Sequence, residues 1–179
     1  MPESIYSVFS HILPADRLHE SDAVLDVHSV DETEDLCFRP KLVAEPVSTE
    51  EVSELLKCAH RNGVPVTAAG ARTGLSGGAL AVSGGLALSL RRMNKIIAID
   101  EVNHQAVVEP GVITEVLQNA AADKDLFYAV DPASRGTCTI GGNVATNAGG
   151  NHVIRYGMTR DNIRSMQVVL ANGQVIESK

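Results

Sequence analysis

The sequence predicts a fold of mixed helices and strands without a Rossmann fingerprint, and three observations lead there. Short apolar runs with strand character alternate with segments of helical spacing. Two dense glycine clusters sit far apart in the chain. Neither cluster has the Gly-x-Gly-x-x-Gly spacing that opens a helix in a dinucleotide-binding βαβ unit. After the first cluster comes Leu86-Ala87-Leu88-Ser89-Leu90, which reads as a strand. Walker A is excluded as well, because no glycine is followed by lysine.

In chain order, Ile5, Val8, Phe9 and Ile12 have helical spacing ahead of Pro14. Asp31-Glu32-Thr33-Glu34-Asp35 is an acidic run, read as a solvated loop, and it lacks the spacing of a Ca²⁺ loop. Pro40 and Pro46 bracket Lys41–Ala44, read as an edge strand. Ser48 and Glu51 form a capping box ahead of Val52, Leu55, Leu56 and Ala59. That helix stops near Asn62-Gly63, and Val64–Thr67 follows as a strand. Further strands are expected at Leu86–Leu90, Ile96–Ile99 and His104–Glu109. A helix is expected over Thr114–Lys124. Ala171-Asn172-Gly173 lies between two alternating runs, a hairpin signal.

Composition bounds the function. The 179 residues suffice for one domain or two small lobes, and 44% hydrophobic content supports a core. Aromatics are 3% with no Trp, so Val, Leu, Ile and Ala must fill that core. A net charge of −7 argues against a nucleic-acid binder. No uninterrupted apolar run is long enough to span a bilayer. Cys37, Cys58 and Cys138 are odd in number and widely spaced. Together with an N-terminus that lacks a secretory pattern, they predict a reducing, cytoplasmic setting. The six histidines show no paired ligand spacing, so no metal site is expected.

Of fifteen glycines, six fall between Gly70 and Gly85 and six between Gly136 and Gly157. The first cluster, Gly70-Ala71-Arg72-Thr73-Gly74-Leu75-Ser76-Gly77-Gly78, reads as a nest of inward-turned N–H groups. Thr73 and Ser76 add hydroxyls, and Arg72 is the nearby cation. Such a loop suits a diphosphate that is held and not cleaved. The second cluster runs from Ile140-Gly141-Gly142-Asn143 to Asn147-Ala148-Gly149-Gly150. The two clusters are read as loops closing on one extended, phosphate-bearing ligand.

The first cluster resembles the pyrophosphate loop of the vanillyl-alcohol oxidase / p-cresol methylhydroxylase flavoprotein family. Asp131-Pro132-Ala133-Ser134, Ile140–Gly150 and Arg155-Tyr156-Gly157 resemble its second signature. The branch most similar is that of glycolate oxidase FAD-binding subunits, D-lactate dehydrogenases and D-2-hydroxyglutarate dehydrogenases. This resemblance implies a non-Rossmann α+β fold of two lobes with FAD between them. Residues 1–36 would form an N-terminal extension, 37–81 the first lobe and 82–179 the second.

By the same resemblance Gly70 to Gly78 cradle the pyrophosphate. Pro132, Ala133, Thr139, Ile140, Gly141, Gly142 and Asn143 approach the ribityl chain and flavin ring. Asn147, Gly149, Gly150 and Gly157 shape that wall. The chemistry implied is oxidation of a 2-hydroxy acid by hydride transfer to flavin N5. FAD is expected to be noncovalent, since no histidine lies in or beside the first loop. The family pattern continues past Lys179 with an adenine-side segment and a cap domain, so this stretch alone is expected not to turn over substrate. An alternative is a non-catalytic FAD-binding or assembly subunit that needs a cap-bearing partner. A reductase of the UDP-N-acetylenolpyruvylglucosamine type fits Ile140–Gly150 less well.

Overall fold

The computed structural model describes residues 4–178. Helix α1 (Ile5–Phe9) is capped by Ser4, whose hydroxyl accepts from the Ser7 amide. Strand β1 (Leu18–His19) and helix α2 (Asp22–Val27) follow. Strand β2 (Leu42–Ala44) leads to helix α3 (Thr49–Asn62). Strand β3 (Val66–Ala69) leads through the first glycine cluster to strand β4 (Leu86–Ser89). These strands make one sheet in the order β1-β2-β4-β3, with β2, β4 and β3 parallel and β1 antiparallel to β2.

Alternation along the parallel strands sends Leu42, Ala44, Leu86 and Leu88 to one face. There they pack with Phe9, Leu13, Leu18, Leu55 and Cys58. Val43 and Ala87 go to the other face, under Leu25 of α2. Every residue of β2 and β4 is buried, as parallel strands covered on both faces require.

One expectation changes here. Residues 42–44 are not an edge strand, because Leu18–His19 supplies an outer partner. Phe9, Leu13 and Leu18, from the segment before Asp31, pack into the core beside α3. Strand β4 lies between β2 and β3.

The chain then forms the antiparallel pair β5 (Ile96–Asp100) and β6 (Gln105–Val108). Helix α4 (Thr114–Ala122) packs Leu117 with Val112 and Ile140 in a second core cluster. The second glycine cluster, read as a loop, begins with the helix α5 (Ile140–Thr146) and becomes a loop only at 147–150, and a short helix α6 (Val153–Tyr156) follows. Last comes the hairpin of β7 (Met166–Val169) and β8 (Val175–Ser178), as Asn172-Gly173 predicts.

The turn of that hairpin docks on α3. Ser53 Oγ donates to the Gly173 carbonyl at 2.6 Å, and a side chain at Gly173 would collide with Lys57 and the Ser53 carbonyl. Among the described residues no helix is long and apolar enough to cross a membrane. All three cysteines are free thiols, Cys58 and Cys138 buried and Cys37 exposed.

Candidate functional site: two glycine clusters that meet

The first cluster leaves the sheet at the C-terminal end of β3. Among the described residues, none of the amides from Ala71 to Ser76 donates to a protein acceptor. Arg72 sits in the left-handed region at φ 59° and Gly77 at φ 69°. Arg72 is half-buried, and its Nη1 is buried without a partner. Burial, and then the charge of Arg91, lowers its pKa, so both cations act in the same region. An unpaired buried guanidinium nitrogen costs free energy unless an acceptor arrives, and a phosphate oxygen is such an acceptor. Thr73 and Gly74 are partly exposed, while Leu75, Ser76 and Gly78 are open to solvent.

The second cluster is built differently. The amides of its first half are already spent: Ile140 N–H donates to the Val112 carbonyl and Gly141 N–H to the Pro110 carbonyl, both at 2.8 Å. Asn143 N–H donates to the Thr139 carbonyl at 2.9 Å, and Gly142 N–H to Thr139 Oγ1 at 3.4 Å. Thr139 is thus the N-cap of α5, which lets a segment with two glycines become helical.

Thr139 and Asn143 are 1% and 2% exposed. The Asn143 side-chain amide donates to Thr114 Oγ1 at 2.6 Å, which in turn lies 3.2 Å from Cys138 Sγ. Both side chains are therefore packed among protein neighbours. Ile140 is buried in the core with Val112 and Leu117. Glycine at 141 is a packing requirement, since a Cβ there would come 2.7 Å from Pro110 Cβ.

The remaining expected wall residues stay together. Gly150 lies so close to the Asp131 carbonyl that no side chain fits, which straps the 149–150 turn onto Pro132. Pro132 is partly exposed and Ala133 exposed. Asn147 ends α5 in the left-handed conformation at φ 49°, and its Oδ1 accepts from Arg160 N–H at 3.0 Å. Gly149 packs against Val153 and Met158, and Gly157, at φ 76°, against Asp161.

The two clusters meet at Gly70. A Cβ on Gly70 would lie 2.6 Å from Thr139 Oγ1 and 3.7 Å from Gly142 Cα. The open amides of the first loop thus begin at the point where the second wall closes on it.

Sequence reasoning missed two features. Thr33, placed in a solvated acidic run, accepts the Gly77 N–H at 2.7 Å. A cavity of about 430 Å³ lies beside α4, lined by Gln118, Phe127, Tyr128, Asp131, Arg135 and His152. In it the buried Asp131 accepts from Arg135 at 3.0 Å, and burial pushes the Tyr128 phenol up to about 12. Phe127, His152 and Tyr156 stack edge to face at its rim, and Arg155 lies over the Tyr156 ring at 5.3 Å.

Comparison with known proteins bears on the family and the fold. The family described as "FAD binding domain" matches residues 40–179. The D-2-hydroxyglutarate dehydrogenase of Xanthomonas citri pv. viticola is 44% identical over 165 residues, covering 92% of this chain and 35% of that protein. The D-lactate dehydrogenase of Anaerostipes hadrus is 45% identical over 139 residues, covering 78% of this chain and 29% of that protein. The chain thus spans about a third of the length of these curated relatives. Among solved structures, p-cresol methylhydroxylase with substrate bound superposes with a TM-score of 0.77 at 24% identity, over 97% of this chain and 34% of that one, a likeness of fold alone. With an open-amide loop and a packed second wall meeting at Gly70, the chain belongs to the FAD binding domain family and has the non-Rossmann α+β fold of the p-cresol methylhydroxylase type.

Proposed function

We propose that this chain is the FAD-holding portion of a flavin-dependent oxidoreductase that oxidises a 2-hydroxy acid of the D-lactate, glycolate or D-2-hydroxyglutarate kind. The observation that carries the reading is the run of unspent amides from Ala71 to Ser76 beside the unpaired Nη1 of Arg72. That donor set fits a diphosphate, and the names of the relatives supply the substrate class.

In this reading each group has a separate task. The amides of Ala71–Ser76 bind the diphosphate oxygens, and Arg72 balances their charge. Gly70 and Gly142 let the two clusters close without side chains intervening. Pro132, Ala133, Asn147, Gly149, Gly150 and Gly157 form the surface against which the rest of the cofactor lies. The Asn143–Thr114–Cys138 contacts hold that surface still. Bound FAD would supply the redox chemistry, accepting a hydride equivalent at N5 from the substrate α-carbon. No residue here is placed as the general base. The absence of a histidine from Ala71–Gly78 supports noncovalent FAD, since the nearest upstream histidine, His60, lies on α3. Three free thiols support a reducing, cytoplasmic setting.

The test is to titrate the purified chain with FAD and follow flavin fluorescence. Saturable binding, with all flavin released on acid precipitation, supports the reading; no uptake overturns it for this chain. In a chain extended to the relatives' length, anaerobic D-lactate or D-2-hydroxyglutarate should bleach the flavin absorbance.

A further inference from the structure

The acidic segment before β2 is built to hold the first glycine loop. Its base is closed by the Phe38 N–H donating to the Ser29 carbonyl at 2.8 Å, so residues 30–37 project as one loop. Within it Asp31 Oδ1 accepts from Thr33 N–H at 2.9 Å, which fixes Thr33. Thr33 Oγ1 then accepts the Gly77 N–H at 2.7 Å, across 44 residues of sequence. Leu36 covers the same glycine, its Cδ1 lying 3.3 Å from where a Cβ on Gly77 would be. Four carboxylates, Asp31, Glu32, Glu34 and Asp35, flank Thr33 in the sequence. Like charge beside a diphosphate is unfavourable, so attraction to the ligand does not explain the placement. The neutral hydroxyl is what meets the loop, at the amide directly after the open run from Ala71 to Ser76.

We propose that Asp31–Leu36 is a clasp that sets the shape of the diphosphate loop before the cofactor arrives, with Thr33 as its positioning residue. The Gly77 N–H is a tether and not a phosphate donor; the donors are the amides preceding it. By holding Gly77 in its left-handed conformation, the clasp lowers the ordering cost of binding. The proposal rests on the FAD reading above.

The test compares the unmodified chain with Thr33→Val, which keeps the β-branched shape and loses the acceptor, and Thr33→Ser, which keeps the acceptor. Amide hydrogen exchange is read at Gly77 without FAD, and the FAD dissociation constant by fluorescence titration. Thr33→Val should speed Gly77 exchange and weaken FAD binding, each about tenfold, as the loss of one well-made hydrogen bond implies. Thr33→Ser should restore both to within about threefold of the unmodified chain. Unchanged Gly77 exchange in Thr33→Val overturns the clasp, and so does a Thr33→Ser variant as weak as Thr33→Val. If the unmodified chain takes up no FAD, the functional reading falls, and the exchange measurement alone still decides whether Thr33 holds the loop.

Discussion

Gly70 and Thr139 touch: a methyl on Gly70 would reach within 2.6 Å of the Thr139 hydroxyl that caps α5. Gly70→Ala therefore forces the two clusters apart, at about 1–3 kcal/mol by the usual cost of overpacking. Thr139→Ala alone removes the cap, at about 1 kcal/mol. The double variant should lose less stability than the sum, because the cap deletion makes room for the new methyl. Denaturant unfolding of the four proteins checks this.

The glycines of the two clusters should respond differently to alanine. Gly74 and Gly78 have open space where a Cβ would go and no left-handed backbone. Gly74→Ala and Gly78→Ala should keep stability within about 0.5 kcal/mol. Any loss of FAD affinity in them is then a direct effect on the site. Gly150→Ala puts a side chain into the Asp131 carbonyl and should prevent the second wall from folding, visible as lost amide dispersion in NMR spectra.

Arg72 combines a left-handed backbone with a buried, unpaired nitrogen. Arg72→Gly keeps the backbone conformation available and removes the charge. The expected result is unchanged or slightly raised stability and FAD binding weakened about tenfold, as for loss of one charge-assisted hydrogen bond. The salt dependence of binding should become shallower. Titration at two ionic strengths reads both.

His28 predicts a pH response. Its Nδ1 lies 3.0 Å from the Val24 carbonyl, which can only accept, so Nδ1 carries the proton and Nε2 is bare and buried. Burial, ahead of the nearby Arg72 and Arg91 charges, holds its pKa below the ordinary 6.5. The unfolded chain then binds a proton before the folded chain does. Stability is full above pH 6.5 and falls as the pH drops from there toward the folded value, by at most about 1.4 kcal/mol per unit. Glu45 and Glu51, held below 4.5 by Arg92 with His19 and by Arg17 respectively, lose their contributions only further down. Thermal midpoints between pH 8 and 5 should decline, and His28→Asn should flatten that decline.

What the sequence revealed followed the range of the forces involved. Helix α3 was readable because its signals are local: Ser48 Oγ accepts the Glu51 N–H at 3.3 Å, and Gly63 ends the helix at φ 62°. One detail differed, since the Glu51 carboxylate turns to Val47 N–H and Arg17 and not to Ser48. The β7–β8 hairpin was readable for the same reason. Helix α5 was not, because two adjacent glycines disfavour helix and the turn forms only once Val112, Pro110 and Thr139 supply acceptors. The place of β2 inside the sheet depends on β1, more than twenty residues upstream, and the Thr33–Gly77 bond spans a longer gap still. The motif marked out the residues expected to form the second wall. That Thr139 and Asn143 are buried was not legible, because burial is a property of the packed fold.

The central claim is that one loop, open in its amides and braced by a packed wall, receives the FAD diphosphate. Amide NMR spectra recorded while FAD is added to the ¹⁵N-labelled chain test it most directly. The account predicts the largest saturable shifts at Ala71–Ser76, with smaller ones at Ile140–Asn143, whose N–H groups already have partners. Shifts centred on the Phe127–His152 cavity, with Ala71–Ser76 unmoved, would contradict it.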